Sequence, residues 1–193
     1  TVSGFDSSTP GTQEVQISYK GTTVTKSVYV SETAALKLSE EYQTQYYIGD
    51  ELRNPTVYVV YDDGVERTVS ATFSGFDSTK AGDCIITVSA KGLNTTYTVN
   101  VADTYSVNIG SPTETDVVAR LDLTTGQVTI SGTGNTKEIS TPNRGEGGLF
   151  NAYSFNSKIK TVVVEEGVTG LCGACFYEIT TLTEIALPST LTL

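Results

Sequence analysis

The chain has 193 residues, room for one domain or two small ones, and 38% of them are apolar, enough for a core, with no run near the ~20 consecutive apolar residues that cross a bilayer. Lys and Arg total 12 against 22 Asp and Glu, and the net charge of -10 repels a phosphate backbone, which excludes nucleic acid and anionic membrane surfaces as partners. No His and only three Cys occur, so the commonest general base and most zinc patterns are missing, and no catalytic residue, cofactor or metal site is expected.

In chain order, the first residues carry no apolar leader and the chain has no Met, which marks it as a processed product or an excised piece of a longer one. Residues 2–30 superpose without a gap on residues 73–101, an offset of 71 with 12 of 29 positions identical. Gly4 and Gly11, matched by Gly75 and Gly82, bracket a Phe-Asp-Ser turn. Val15, Ile17 and Tyr19, matched by Ile86, Val88 and Ala90, alternate with polar residues, as a half-buried strand requires. Lys20-Gly21 and Lys91-Gly92 turn the chain into a second alternating strand ending at Val28/Val30 and Val99/Val101. Each copy is a hairpin with one apolar face, and a lone hairpin is not stable in water.

The second copy has its complement upstream. Leu36 and Leu38 begin a strand, Tyr47-Ile48-Gly49-Asp50 makes a corner, Val57, Val59 and Tyr61 alternate up to the turn Asp62-Asp63-Gly64, and Thr68 to Phe73 returns. Short strands with turns at regular intervals predict a β-sandwich over residues 32–102, with residues 1–31 the C-terminal half of another such module. The series YYIGDEL, VYVVYDDGVERTVS and FSGFDSTKAGDCIITVSAKGLNTTYTVNV resembles the bacterial immunoglobulin-like modules, group 3 type, found in tandem on surface proteins of Gram-positive bacteria and gut anaerobes.

Beyond Asp103 a shorter period appears: Ile159 to Val168 superposes on Leu182 to Leu191 at an offset of 23, within the ~20–29 residues of leucine-rich repeats. The spacing points Ile159, Val162, Val164, Val168, Leu171 and Phe176 inward and Thr161, Val163 and Glu165 outward. The run IKTVVVEEGVTGLCGACFYEITTLTEIALPSTL, preceded by ARLDLTTGQVTISGTG, resembles the BspA-type leucine-rich-repeat surface proteins. That resemblance makes the hairpin turning at Thr125-Gly126 an N-terminal cap and residues 103–193 the cap and first repeats of a short solenoid. One whole repeat and the start of another are fewer than the roughly three that stacking needs, so the array is expected to continue past Leu193.

Together the resemblances imply a mainly β chain and a non-catalytic, secreted or cell-surface adhesion protein, its spacer modules presenting a repeat surface to a host or bacterial surface protein or glycan. The candidate surface is Thr161, Val163, Glu165, Glu184 and Ala186. An export signal ahead of residue 1 and a wall or membrane anchor are expected, and the incomplete N-terminal module offers an edge for oligomers. The alternative function is the accessory region of a larger extracellular enzyme acting on polysaccharides.

Other motifs have plainer readings. Cys172 and Cys175 form a C-x-x-C without the second pair of a zinc site or the strand-to-helix setting of a redox site, which favours two buried thiols, with a disulfide or weak metal capture as the alternatives. Asp62-Asp63-Gly64 reads as a hairpin turn rather than a cation loop. Glu40-Glu41, Asp50-Glu51 and Glu165-Glu166 read as solvated faces rather than glycosidase pairs. Gly145 to Gly148 lacks the Lys-Ser/Thr of a phosphate loop and reads as a connection before the core residues Phe150, Tyr153 and Phe155. Asn94-Thr95-Thr96 matches a glycosylation sequon but sits in a hairpin. Of Tyr42, Tyr46, Tyr47, Tyr58 and Tyr61, at least half are expected to be buried in the sandwich.

Overall fold

The computed structural model describes residues 1–138, 155–173, 175–177 and 179–192. Strands dominate these residues, with short 3-10 turns and no α-helix, and no helix among them is long and apolar enough to cross a membrane. The chain divides into two compact units, one of Thr1–Thr44, Glu51–Asp77 and Asp83–Val99, the other of Gln45–Asp50, Ser78–Gly82 and Asn100–Leu193.

The N-terminal strands β1 (Val2–Ser3), β2 (Gly11–Tyr19) and β3 (Thr22–Val30) make an antiparallel sheet in that order. Seven more follow: β4 (Thr33–Leu38), β5 (Gln45–Tyr47), β6 (Val57–Tyr61), β7 (Glu66–Thr68), β8 (Thr72–Ser74), β9 (Gly82–Ala90) and β10 (Leu93–Ala102). They sort into two sheets, β4-β6-β7 and β5-β10-β9-β8. The internal repeat is a repeat of backbone as well as of sequence. The pairs Val2↔Ile17 and Ser3↔Gln16 recur as Phe73↔Val88 and Ser74↔Thr87. Lys20 and Lys91 both take positive φ, 46° and 52°. A Cβ on Gly4 would lie 2.5 Å from the Glu14 carbonyl oxygen, and one on Gly75 would lie 2.3 Å from that of Ile85. Only glycine allows so close an approach, and it serves the same purpose in both copies.

One predicted strand is two. Thr68 to Phe73 does not return as a single strand: Thr68 pairs with Tyr58 in one sheet, Phe73 with Val88 in the other. The chain changes sheets over residues 69–71, because one strand edge cannot satisfy partners in separate sheets. The alternating faces are buried as expected at Val57 and Val59, at Ile86, Val88 and Ala90, and at Val99 and Val101, and Tyr97 is buried with them. The tyrosines are less buried than expected: Tyr46 is buried, whereas Tyr42, Tyr47, Tyr58 and Tyr61 are half-buried. Tyr42 meets Tyr97 edge-on at 5.0 Å between centroids, so its ring helps to cover the sheet.

In the second unit, β11 (Thr104–Asn108), β13 (Val117–Asp122), β14 (Gln127–Gly132), β16 (Thr161–Val164) and β18 (Glu184–Ala186) form one sheet in that order; β12 (Gly110–Ser111), β15 (Gly134–Thr136) and β17 (Val168–Gly170) form another. The hairpin β13–β14 turns at Thr125-Gly126, with the Gly126 amide donating to the Asp122 carbonyl at 2.8 Å. From β14 onward the pairing is parallel, Gln127↔Thr161 to Ile130↔Val164 and then Thr161↔Glu184 to Val163↔Ala186. The 23-residue period is thus a stacking period. Thr183 N donates to Lys160 O at 2.8 Å and Thr192 N to Thr169 O at 2.9 Å, both across that interval.

These layers close on one core of Ile109, Val117, Ala119, Leu121, Val128, Ile130, Phe155, Ile159, Val162, Val164 and Val168, with Leu171 and Phe176 half-buried against it. Phe155 packs at 5.3 Å from Tyr47 and 5.2 Å from Tyr105. Lys158 Nζ donates to the Ile48 carbonyl at 2.7 Å, which explains why Gln45–Asp50 belongs to this unit. Phe150, Tyr153 and Gly145 to Gly148 lie outside the described residues.

Candidate binding face

Parallel stacking puts every second side chain of each layer in line with its neighbours. On the side opposite Leu121, Val128 and Val162, one row runs Thr104, Asp122, Gln127, Thr161, Glu184, and the next Ser106, Arg120, Thr129, Val163, Ala186. Five strands spaced by ~4.8 Å make a face about 19 Å across. Four of the residues selected from sequence, Thr161, Val163, Glu184 and Ala186, therefore share one surface; the first two are half-buried and the other two exposed. Glu165 lies one step beyond β16, exposed, with its amide donating to Ile130 O at 2.9 Å. Sequence reasoning missed the share of the β13–β14 hairpin, Asp122, Arg120, Gln127 and Thr129. The alternation around Thr125-Gly126 carried that signal, but the parallel register that aligns it with Thr161 did not follow from the hairpin alone.

Carboxylates here mostly hold the chain to itself. Asp122 accepts from the Thr124 hydroxyl at 2.6 Å and from the amides of Thr124 and Thr125 at 2.8 and 3.0 Å. These bonds to the charged form, the Thr124 hydroxyl foremost, lower its pKa to about 2. Glu166 is exposed, as expected of a solvated face, and also serves as a clip between layers. It accepts from the Ser189 amide and hydroxyl at 3.0 and 3.1 Å and from the Thr190 amide at 3.3 Å, and its pKa is lowered first by the Ser189 amide.

The remaining acidic motifs divide between turns and solvent. Asp62-Asp63-Gly64 is the predicted turn, with Gly64 at φ 80°. Its carboxylates also bind the preceding segment: Asp62 accepts from the Tyr29 hydroxyl and the Glu32 amide, Asp63 from Ser31 Oγ at 2.5 Å and Val65 N at 3.0 Å. Asp50 caps the corner by accepting from Tyr47 N at 2.9 Å, whereas Glu40, Glu41 and Glu51 are exposed. Asn94 accepts from Ser89 Oγ at 2.6 Å across the β9–β10 hairpin.

The cysteines correct the sequence reading. Cys172 and Cys175 are buried, as expected, but joined as a disulfide with Cα atoms 5.3 Å apart rather than left as thiols. Both sulfurs enter one small space beside Thr136, whose hydroxyl accepts from Cys172 N at 2.7 Å, and the Cα separation falls within the range a disulfide needs. Cys84 is free and half-buried. Among the described residues, no three His, Cys, Asp or Glu are grouped to hold a metal ion.

Residues 39–101 match the family model described as bacterial Ig-like domain, group 3. Over 100 residues, 48% of this chain, the sequence is 35% identical to pectate lyase L of Thermoclostridium stercorarium, and the matched stretch spans 8% of that protein's length. Among solved structures, a leucine-rich repeat protein from Eubacterium ventriosum is 24% identical, covering 47% of this chain and 22% of its own at a TM-score of 0.38. A solution structure of a surface protein is 23% identical over 37% of this chain and 89% of its own, at a TM-score of 0.24. The chain is mainly β, and its residues 39–101 are a bacterial immunoglobulin-like domain.

Proposed function

We propose that the chain is a non-catalytic part of an extracellular bacterial interaction protein, in which immunoglobulin-like modules space out a leucine-rich-repeat surface that binds a host or bacterial protein or glycan. The observation carrying this reading is the parallel register that sets Thr161 and Val163 beside Glu184 and Ala186 and continues both rows across the cap hairpin. A stacked array adds one strand per layer to the same face, so a ligand meets a surface that grows with the number of repeats. The cap role of β13–β14 and the repeat class belong to this proposal, supported by the 23-residue stacking period. So does location outside the cell, supported by the immunoglobulin-like match.

Glu165→Lys with Glu184→Lys changes two exposed side chains without touching the core. Loss of at least tenfold in adhesion to host or bacterial cells, with an unchanged circular dichroism spectrum, is expected; unchanged adhesion rejects the face. The second reading, an accessory region of a polysaccharide-acting enzyme, draws support from the likeness to a stretch of pectate lyase L. Retention of the chain on immobilised pectate, lost in the same double variant, would favour it. Turnover of pectate by the chain itself would overturn the non-catalytic reading.

A further inference from the structure

The N-terminal unit holds a cleft of about 430 Å³ lined from three separate stretches of chain: Phe5 beyond β1, Tyr29 and Ser31 at the end of β3, and Tyr61, Asp63 and Arg67 around the β6–β7 turn. That volume lies within the ~300–1,000 Å³ usual for small-ligand sites. Two of its aromatic rings are wet, Phe5 and Tyr29 each being 56% exposed. Its polar groups are already held in place. The Tyr29 hydroxyl donates to the Asp62 carboxylate, which fixes the ring. Ser31 Oγ and Val65 N donate to Asp63 at 2.5 and 3.0 Å, and these bonds, Ser31 foremost, lower the Asp63 pKa. The exposed Arg67 sets its guanidinium 5.9 Å from the Tyr61 ring centroid, and an arginine carries several N–H donors. The cleft is not a by-product of the 71-residue repeat. At that offset Asn100 and Ala102 stand where Tyr29 and Ser31 do, and Phe76, the counterpart of Phe5, is half-buried.

We infer that this cleft binds a neutral glycan, taking a sugar ring against Phe5 and Tyr29 and its hydroxyls on Asp63 and Arg67. Charge selects the ligand class. An anion meets Asp62 and Asp63 at the turn, and a cation meets Arg67. A neutral polyol is opposed by neither and uses both, its hydroxyls donating to the carboxylate and accepting from the guanidinium. A carboxylate has about four lone-pair sites, so the two bonds Asp63 already accepts leave capacity for a sugar hydroxyl. The rings select a ligand with an apolar side, because the C–H face of a pyranose removes aromatic surface from water while its hydroxyls stay at the polar rim. The bonds from Tyr29 and Ser31 to Asp62 and Asp63 fix this wall before any ligand arrives, so little side-chain freedom is lost on binding. The site lies wholly in the N-terminal unit, and it stands or falls apart from the repeat face proposed above.

The test titrates the full chain with oligosaccharides of glucan, xylan, mannan and galactan, and with oligogalacturonate and chitosan oligomers as anionic and cationic counterparts, while nuclear magnetic resonance follows the amide and aromatic signals. At least one neutral oligosaccharide should bind and move the signals of Phe5, Tyr29 and Arg67, with an affinity that changes less than about twofold between about 0.1 and 1 M salt. Phe5→Ala and Arg67→Gln should each weaken that binding about tenfold, with melting curves confirming that both variants fold. Tyr29→Phe, which keeps the ring and loses only its bond to Asp62, should retain most of the affinity. Should Phe5→Ala fail to fold, Arg67→Gln alters only an exposed side chain and gives the same reading. Failure of every neutral oligosaccharide to bind, tighter binding of either charged one, or undiminished affinity in these variants overturns the inference.

Discussion

The alternation on β16 decides which residues form the core and which the face, and it can be tested at two adjacent positions. Val162 is 1% exposed in the core; Val163, the next residue, is half-buried on the outer face between Thr129 and Ala186. Val→Thr nearly preserves shape and replaces a methyl by a hydroxyl. At position 162 the hydroxyl enters a cluster of apolar side chains, where leaving it unpaired costs about 1–3 kcal/mol. At position 163 water remains in reach, and a change within about 0.5 kcal/mol is expected. For a unit of this size each kcal/mol moves Tm by about 4–8 °C, so Val162→Thr should lower the melting of the C-terminal unit by roughly 8–16 °C at the middle of that range, whereas Val163→Thr should shift it by a few degrees at most. Far-ultraviolet circular dichroism during heating reads both. Equal losses, or a larger loss at Val163, would refute the register, since a slip of one residue exchanges the two faces.

Acid should loosen the Asp122 turn and the Glu166 clip. Glu166 and Asp122 both have lowered folded-state pKa values, so the stability they contribute is complete above their ordinary carboxylate pKa values and is lost as pH falls through the folded ones. Carboxyl carbon shifts should place the Asp122 midpoint near 2, and a midpoint near 4 would contradict its turn bonds. Glu166→Ala should speed amide exchange at Ser189 and Thr190 without affecting Thr129; unchanged exchange would deny the clip. A Cβ on Gly132, at φ 128°, would stand 2.0 Å from Asp116 O, whereas one on Gly134, at φ 100°, meets nothing within 4 Å. Gly132→Ala should thus cost about 3 kcal/mol or more through clash and strain, Gly134→Ala about 1–2 from strain alone, as measured by urea unfolding. Alkylation of the denatured, unreduced chain should modify Cys84 only, and modification of all three cysteines in the mass spectrum would exclude the disulfide.

Several of these features could be read before any coordinates. The 71-residue repeat was visible because its turns need specific residues: glycine where backbone passes within contact of backbone, and Lys-Gly at a positive-φ corner. Val162 and Val164 followed from period-two alternation, which records burial directly, and Ile159 and Val168 from the 23-residue repeat. Glu166 is solvated as its sequence suggests, but its second task as a clip was not legible, because a carboxylate that only faces water and one that also accepts amides from the next layer look alike in sequence; the difference lies in Ser189 and Thr190, 23 and 24 residues away. The Thr68 to Phe73 stretch was misread for a related reason, since β-propensity does not say which sheet supplies the partner.

Local chemistry, then, was enough to set the β character, the two repeat periods and the identity of the inward side chains, because turn geometry and alternation act between neighbours in sequence. Assembly in space decided the parallel register that builds the outer face, the closure of Cys172 on Cys175, and the meeting of Phe5, Tyr29 and Arg67 at one cleft. Those depend on what lies opposite a strand, and residues that meet across a core leave no mark in the order of the chain.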